Sequence, residues 1–465
     1  MHDSIHPPRL TRPRRAHLLA VALLLSVVLV AGCTGSSGSP ATTAPASPAP
    51  SSAVVTDCLL PPASCYTPYL FRVAYGIQPL LDSGIDGRGE TVTVLDSVPT
   101  HSFLEAAPPG QPPAATDIRQ DLKTFDSLFR LPAARIQVVT TLAGSASPWQ
   151  ASGQEVGDLE IVHAVAPAAT LRVVLMPSIV LASAATATKD MIAGLRLAVS
   201  GTGVASISCG LGEHYFTPAQ VAQMHSILLG ADVHHVTVIA SSGEYGGFGD
   251  TPGEGTPAGG TPVKEVDLPA SDPLVLAVGG TTLTLNPATG AYTGETAWNG
   301  EDSSGPTLVG ASGGGFSHLY ARPAYQDGVP GISAMRGVPD VAGDADQQGG
   351  WAAVLTTGGK TSIGSYSGTG AAAALWAGLI ALADQYARHD LGFVNPAIYR
   401  IARSPSYHQA FHDITTGSNI QTLAYPAGTA GYQAGPGWDP VTGWGSPNAQ
   451  VLVPLLARLA SRSTT

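Results

Sequence analysis

Residues 362–392 read SIGSYSGTGAAAALWAGLIALADQYARHDLG and carry a strong helix signal. The run 371–383 contains no proline and one glycine, Gly378, and consists mostly of alanine and leucine, which favour helix. Apolar residues occupy every face of this run, so we predict a helix that is buried within an α/β core. Gly392 is expected to follow the end of that helix.

The turn before this helix, Ser-Gly-Thr-Gly at 367–370, places Gly370 at the helix N-terminus. Free N–H groups and the helix dipole favour negative charge at such a position. The sequence SGTGAAAALWAGLIAL resembles the serine motif of the sedolisins, the serine-carboxyl peptidases, which reads roughly G-T-S-A-x-x-P before an apolar helix. In this resemblance Gly370 stands at the nucleophilic serine, and Ala374 stands at the proline.

A second match lies at 154–175, QEVGDLEIVHAVAPAATLRVVL. Sedolisins have a glutamate and an aspartate four residues apart here, on one helix face, as general base and as the residue that orients it. Asp158 keeps the aspartate, but Gln154 stands at the base, and an amide cannot accept the serine proton. Glu155 is the alternative base if the helix is slipped by one residue. His163 is expected to be structural, because sedolisins use carboxylates.

A third match, VTVIASSGE at 236–244, ends in Gly-Asp in sedolisins, where the aspartate stays protonated at acid pH and donates to the oxyanion. Glu244 keeps the carboxyl group but moves it by one methylene. Donors of an oxyanion hole must lie about 3 Å from the developing charge, so this change is expected to matter.

Three further segments match the family closely: VDLPASDPLVLAVGGTTL at 266–283, SGGGFS at 312–317 and RGVPDVAGDAD at 336–346. The resemblance covers about residues 66–455 and implies an α/β fold. We therefore expect a single large domain with a subtilisin-like, doubly wound parallel sheet and a calcium-site loop region near the C-terminus.

A rival interpretation starts from Asp96, because the sequence around it also resembles the aspartate motif of subtilisins. A subtilisin would need a histidine in an H-G-T-type motif and an asparagine in the oxyanion hole. His101 and His163 have no such surroundings, so the sedolisin interpretation is favoured.

The last match, FHDIT…YQAGPGWDPVTGWGSP within 411–447, is similar to the sedolisin calcium site. Hard oxygen ligands suit calcium, and water can complete its shell. The alternative is a pair of surface aspartates near turns. The resemblance implies two carboxylate and three backbone-carbonyl ligands, from Asp413, Asp439, Ile414, Gly435 and Gly437.

Residues 1–32 have the parts of a signal peptide in order: arginines, then an apolar run at 18–30, then Val-Ala-Gly before Cys33. This resembles a bacterial lipobox, in which Cys33 is lipidated and becomes the first mature residue. An ordinary secretory signal with a chance cysteine is the alternative. The lipobox predicts an exported protein that is anchored through this lipid on the outer face of the bacterial cell membrane.

Residues 33–57 are rich in Ser, Thr and Pro and are expected to form a flexible tether. The peptidase domain is expected at 58–460, and no room is left before Tyr66 for the long prodomain of sedolisins. Cys58 and Cys65 are a plausible disulfide in an exported protein, with two unpaired thiols as the alternative. Cys209 is expected to be a buried thiol.

The formal net charge of −11 and the absence of zinc-finger and P-loop patterns argue against nucleic acid as a partner, because phosphate binding needs basic patches. With Gly370 at the nucleophile, no acyl-enzyme can form there. We expect an inactive pseudopeptidase that binds peptides or proteins. Two alternatives are a calcium-stabilised surface protein with an unused cleft, and an acid-acting serine-type endopeptidase with rerouted residues, its nucleophile being Thr369, Ser367 or Ser365.

Overall fold

A computed structural model describes residues 65–97, 116–140, 150–151, 153–177, 182–250, 263–303, 310–357, 360–421 and 431–460. The predicted signal peptide, Cys33, the tether, Cys58 and His101 lie outside these residues. Within the described ranges, no helix is both long and apolar enough to cross a membrane.

The helices in the described ranges are numbered α1 to α11 in chain order. They are α1 Pro68–Ala74, α2 Gln78–Asp82, α3 Ile118–Phe129, α4 Gly153–Val165, α5 Ala184–Ala198, α6 Pro218–Val233, α7 Gly300–Ser303, α8 Thr369–Ala387, α9 Asn395–Ala402, α10 Tyr407–Ala410 and α11 Ala449–Ala460.

The strands are numbered in the same way. They are β1 Thr91–Ser97, β2 Thr116–Asp117, β3 Arg135–Thr140, β4 Gln150–Ala151, β5 Thr170–Met176, β6 Val204–Ile207, β7 Leu211–Gly212, β8 Thr237–Ser241, β9 Asp267–Leu268, β10 Leu276–Leu285, β11 Tyr292–Ala297, β12 Gly315–Ala321, β13 Met335–Val338, β14 Val341–Asp344, β15 Trp351–Thr357, β16 Lys360–Tyr366, β17 Phe411–His412 and β18 Ser446–Pro447.

The central sheet runs in the order β3, β5, β1, β6, β8, β10, with parallel pairing throughout. Strand β14 pairs parallel to β10, and β11 pairs antiparallel to it. Both faces of the sheet are covered: Val173 packs into one apolar core with α4 and α8, and its neighbour Val174 packs into another with α5 and α6. A parallel sheet that is buried on both faces needs such consecutive apolar residues. The predicted α/β fold with a doubly wound parallel sheet is confirmed.

Helix α8 is the predicted buried helix, and every residue from Thr369 to Asp384 is buried. It packs closely on α4, because a Cβ added to Gly378 would lie 2.6 Å from the Cβ of Val165. The predicted stop at Gly392 was wrong. The helix ends at Ala387, where Arg388 adopts a left-handed conformation with φ 65° and its N–H donates to the Asp384 and Gln385 carbonyls.

Candidate active site

The candidate site lies where the carboxyl ends of β1, β6 and β8 meet the first turn of α8. Parallel α/β sheets commonly bind ligands at this edge. Gly368 precedes the helix with φ 96°, and a side chain there would collide with the Glu244 carboxylate. The turn that the sequence places before the helix therefore requires glycine at this position.

Gly370 is the second residue of α8 and is buried. A Cβ built on it would lie 3.4 Å from the Cβ of Ser208, 3.6 Å from its Oγ, and 3.7 Å from Oδ1 of Asp158. These are ordinary contact distances, so a β-carbon would fit. The motif position of the nucleophile thus lies beside Asp158 but carries no hydroxyl.

Asp158 on α4 is fully buried and is held by two hydroxyl donors. Its Oδ2 accepts a hydrogen bond from Ser208, and its Oδ1 accepts one from Tyr366 Oη at 2.8 Å. Burial raises the pKa of Asp158 to about 6, and the two hydrogen bonds oppose that rise. Sequence reasoning missed both donors. The only sequence feature that could have indicated Tyr366 is its position four residues before Gly370 in the same motif.

Gln154 and Glu155 lie in the first turn of α4, on the same helix as Asp158. Their side chains fall outside the described part of the chain. The missing base at Gln154 and its possible replacement by Glu155 therefore remain predictions.

Glu244 follows β8, and its carboxylate accepts a hydrogen bond from the N–H of Thr369 at the start of α8. The side chain is open to solvent on one side, while protein atoms surround the carboxylate on the others. Desolvation, followed by the nearby Asp250 charge, raises the pKa of Glu244 to about 7, and the Thr369 N–H opposes this. The group therefore carries a proton at acid pH and can donate a hydrogen bond.

A second pair of acids, Asp250 and Asp267, is linked to Glu244 by hydrogen bonds, and sequence reasoning missed this pair. The Glu244 N–H donates to Oδ1 of Asp250 at 3.2 Å, and the Asp250 N–H donates to Oδ1 of Asp267 at 2.8 Å. Burial raises the pKa of Asp250 to about 6 and raises that of Asp267 as well. No local pattern pairs these residues, because they flank a glycine-rich segment.

Two of the alternative nucleophiles are bonded to backbone carbonyls. Thr369 Oγ1 donates to the Gly243 carbonyl at 3.1 Å, and Ser365 Oγ donates to that of Gln347 at 2.6 Å. Neither bond gives the hydroxyl a base.

Cys209 is a free buried thiol, as predicted, and burial raises its pKa well above the ordinary value. Its sulfur is therefore not an activated nucleophile at neutral pH. Cys65 is disulfide-bonded, while its predicted partner, Cys58, lies outside the described residues.

The subtilisin alternative gains no support from His163. Its Nε2 lies 2.9 Å from Oδ1 of Asp126 and 2.9 Å from the Pro132 carbonyl, so the ring ties α4 to α3 and the turn after it. Asp96 is buried at the carboxyl end of β1. The histidine is structural, as predicted.

The predicted calcium carboxylates converge on one loop. Asp413 accepts hydrogen bonds from the Gly437 N–H at 3.1 and 3.2 Å, and Asp439 accepts one from the Gly435 N–H at 3.2 Å. Asp439 also accepts hydrogen bonds from the N–H groups of Val441 and Thr442 at 2.8 and 2.9 Å and from Thr442 Oγ1 at 2.9 Å. Carboxylate oxygens have further lone pairs, and such hard oxygen ligands suit calcium. Burial raises the pKa of Asp439 to about 6, against several N–H donors.

Comparison with known proteins gives several relatives, although no family model matches the chain. Kumamolisin from Bacillus sp. (strain MN-32) is 32% identical over 417 residues, which are 86% of this chain and 65% of the relative. Sedolisin from Pseudomonas sp. (strain 101) is 40% identical over 212 residues, 45% of this chain and 33% of the relative. Tripeptidyl-peptidase 1 from Homo sapiens is 28% identical over 278 residues, 54% and 43% respectively.

A solved structure of Pseudomonas sedolisin, a serine-carboxyl proteinase complexed with two molecules of pseudo-iodotyrostatin, superposes with a TM-score of 0.66. It is 26% identical, and the match covers 86% of this chain and 99% of that one. The chain spans less than two thirds of the length of the three relatives above. Its likeness to kumamolisin and sedolisin in sequence, and to sedolisin in fold, leads to one conclusion: the chain belongs to the sedolisin family.

Proposed function

We propose that this chain is a catalytically inactive sedolisin-type domain that binds peptides or proteins above the first turn of α8. The observation that carries the proposal is Gly370. It lies beside Asp158, at the motif position of the nucleophile, with room for a β-carbon but no hydroxyl. An acyl-enzyme cannot form there, so binding is the function that we infer for the site.

The test combines turnover and binding. Purified protein should leave casein and a peptide library uncleaved at acid pH, and should retain some of those peptides. Gly370→Phe, once circular dichroism shows that it is folded, should abolish the retention because its side chain fills the space beside Ser208. Gly230→Phe is the matched control, since Gly230 is exposed on α6 and nothing lies within 4 Å of its Cβ position. Equal retention by both variants, or none by the wild type, would favour an unused cleft instead.

A second candidate function, an active endopeptidase, is favoured by Ser208. Its Oγ donates to Asp158 and lies 3.6 Å from the Cβ position of Gly370. A serine hydroxyl with a carboxylate partner is thus close to where the family's nucleophile would begin. In this scheme Ser208 Oγ attacks the peptide carbonyl carbon, and its proton passes to Asp158. The C–N bond then breaks as the leaving amine takes that proton, and water hydrolyses the resulting acyl-serine to free the hydroxyl.

The two candidates differ in pH dependence and in their sensitive residue. Asp158 accepts a proton only when it is ionised, so cleavage by Ser208 would rise as the pH passes about 6. Cleavage that is lost in Ser208→Ala and kept in Ser365→Ala would establish this second candidate. Absence of cleavage at every pH would exclude it.

Calcium binding at Asp413, Ile414, Gly435, Gly437 and Asp439 is part of the proposal. It is supported by the convergence of both carboxylates on the Gly435–Gly437 turn. A bound ion would hold that turn and stabilise the folded state, by about 2.7 kcal/mol at a hundredfold excess over the dissociation constant. Chelator should lower the melting temperature, and Asp439→Ala should reduce that effect while Asp327→Ala, an exposed carboxylate, should not.

Export and anchoring through lipid on Cys33 are also proposed, from the order of parts in residues 1–33. Cys33→Ser should release the protein from bacterial membranes into the medium. Membrane retention that is equal in Cys33→Ser and the wild type would contradict the anchor.

A further inference from the structure

Three carboxylates meet at the edge of the sheet opposite the candidate active site. Glu90 directly precedes β1, Asp384 lies in the last turn of α8, and Asp390 lies three residues beyond the end of α8. One oxygen from each lies within 4.8 Å of the others. No motif singles these residues out, and the proposed function does not use them.

Asp384 supplies a buried oxygen that has no protein partner. Its side chain is 0% exposed, and its Oδ1 accepts the Leu391 N–H at 2.9 Å. Its Oδ2 is buried and accepts no hydrogen bond from any described residue. An unsatisfied buried carboxylate oxygen is costly, so this atom needs either a proton or a bound ion. Glu90 and Asp390 are the neighbours with which it would share one.

The surroundings of the cluster are negative. Among the ion pairs of the described residues, none includes Glu90, Asp384 or Asp390. The C-terminal end of α8 adds partial negative charge at Asp384. Burial, followed by the Asp390 charge, raises the pKa of Glu90 to about 7. Either protons or a cation must therefore offset this charge.

The positions of the groups suit a small hard cation. Two oxygens that bind one Ca²⁺ at about 2.4 Å can be at most about 4.8 Å apart, and the cluster meets that bound. The carboxylate of Asp390 lies close to the backbone of Gly203, because a Cβ built on Gly203 would lie 2.7 Å from Oδ1 of Asp390. Asp390 is exposed, which gives an ion and its waters a way in.

We propose that Glu90, Asp384 and Asp390 bind one Ca²⁺, with water completing its shell. The ion joins the end of α8 to the start of β1. It is separate from the Asp413–Asp439 loop and independent of whether the domain cleaves or binds peptides.

The test is calorimetric titration of the metal-free, full-length protein with CaCl₂ near neutral pH, with MgCl₂ as a second arm. It compares the wild type with Asp390→Asn, the isosteric Asp384→Asn, and Asp327→Asn as an exposed carboxylate elsewhere. All four are also made with Asp439→Ala, which removes the other proposed calcium site. In that background Ca²⁺ should still bind once and raise the melting temperature.

Asp390→Asn and Asp384→Asn should each weaken that remaining event by roughly tenfold or more, and Asp327→Asn should leave it unchanged. Unchanged calcium affinity in both cluster variants would overturn the proposal. So would a rise in melting temperature in Asp390→Asn that is equal with and without calcium, because it would show that protons alone hold the cluster.

Discussion

The two ends of helix α8 differ in how their carboxylates are hydrogen-bonded. At its first turn, Glu244 accepts the N–H of Thr369, and Asp158 nearby accepts two hydroxyl hydrogen bonds. At its last turn, Asp384 keeps one buried oxygen without a donor. The helix dipole explains part of this contrast, since it stabilises negative charge at the N-terminus and opposes it at the C-terminus.

The contrast indicates what each end of the helix lacks. Glu244 and Asp158 at the first turn accept hydrogen bonds from the chain itself, and we expect that site to lack two groups for catalysis, a hydroxyl at Gly370 and a base at Gln154. The acids at the last turn have an unmet requirement for positive charge. Substituting residues should therefore change catalysis at the first turn, whereas adding or removing cations should change the last turn.

The largest expected effect is recovery of catalysis at the first turn. Gly370→Ser supplies a hydroxyl without a base, and Gln154→Glu supplies a base without a hydroxyl, so each alone should stay near background. Residues that act as a unit are strongly non-additive, and the double variant should exceed either single variant by about 100-fold or more. A fluorogenic peptide at acid pH measures this, and Glu244→Asp in addition should raise the rate again.

Gly230→Ser combined with Gln154→Glu is the control for that experiment, because it places the new hydroxyl on an exposed face of α6. Wild-type cleavage that survives mutation of Thr369, Ser367, Glu155 and Ser208 would contradict the assignment of the site. Wild-type cleavage that is lost in Glu155→Gln would instead show that the base is present on a slipped helix.

The next effect compares the packing of the first turn of α8 with the packing of its middle. A Cβ at Gly378 would meet Val165 on α4 at 2.6 Å, whereas one at Gly370 would have normal contacts. Gly378→Ala should therefore lower the free energy of unfolding by about 3 kcal/mol through overpacking. Gly370→Ala should change it by no more than about 1 kcal/mol, with a gain expected from helix propensity. Urea denaturation measures both, and equal losses would contradict the difference in packing.

The motifs single out residues at one end of α8 and none at the other. Asp158, Glu244 and Gly370 each sit in a short motif, and the structure brings all three to the carboxyl edge of the sheet. Sequence reasoning missed Glu90 and Asp390 because only the course of α8 through the core brings its far end to the start of β1. Such a meeting of distant segments leaves no local pattern.

The position at which α8 ends was also not predictable from a local sequence pattern. Glycine is the usual residue after a helix, so Gly392 was the expected signal. Arg388 takes the left-handed conformation instead, and the N–H groups of Arg388 and His389 both donate to the Asp384 carbonyl. The helix therefore stops at the left-handed Arg388, and Asp384 in its last turn belongs to the carboxylate cluster.

The last effect concerns pH and the acids of the first turn. The folded-state pKa of Asp158 is raised to about 6, above its ordinary value of 3.8, so the folded state binds this proton more tightly than the unfolded chain does. Stability from this group is present at low pH and falls as the pH rises between these two values, by about 3 kcal/mol in total. Asp158→Asn cannot titrate, so its unfolding free energy should fall less over that range than that of the wild type. Denaturation at several pH values measures the slope, and Asp327→Asn should keep the wild-type slope. A wild-type slope in Asp158→Asn would mean that the pKa of Asp158 is the same in the folded and unfolded states. The hydrogen bonds to Asp158 would then offset the whole cost of burying its charge.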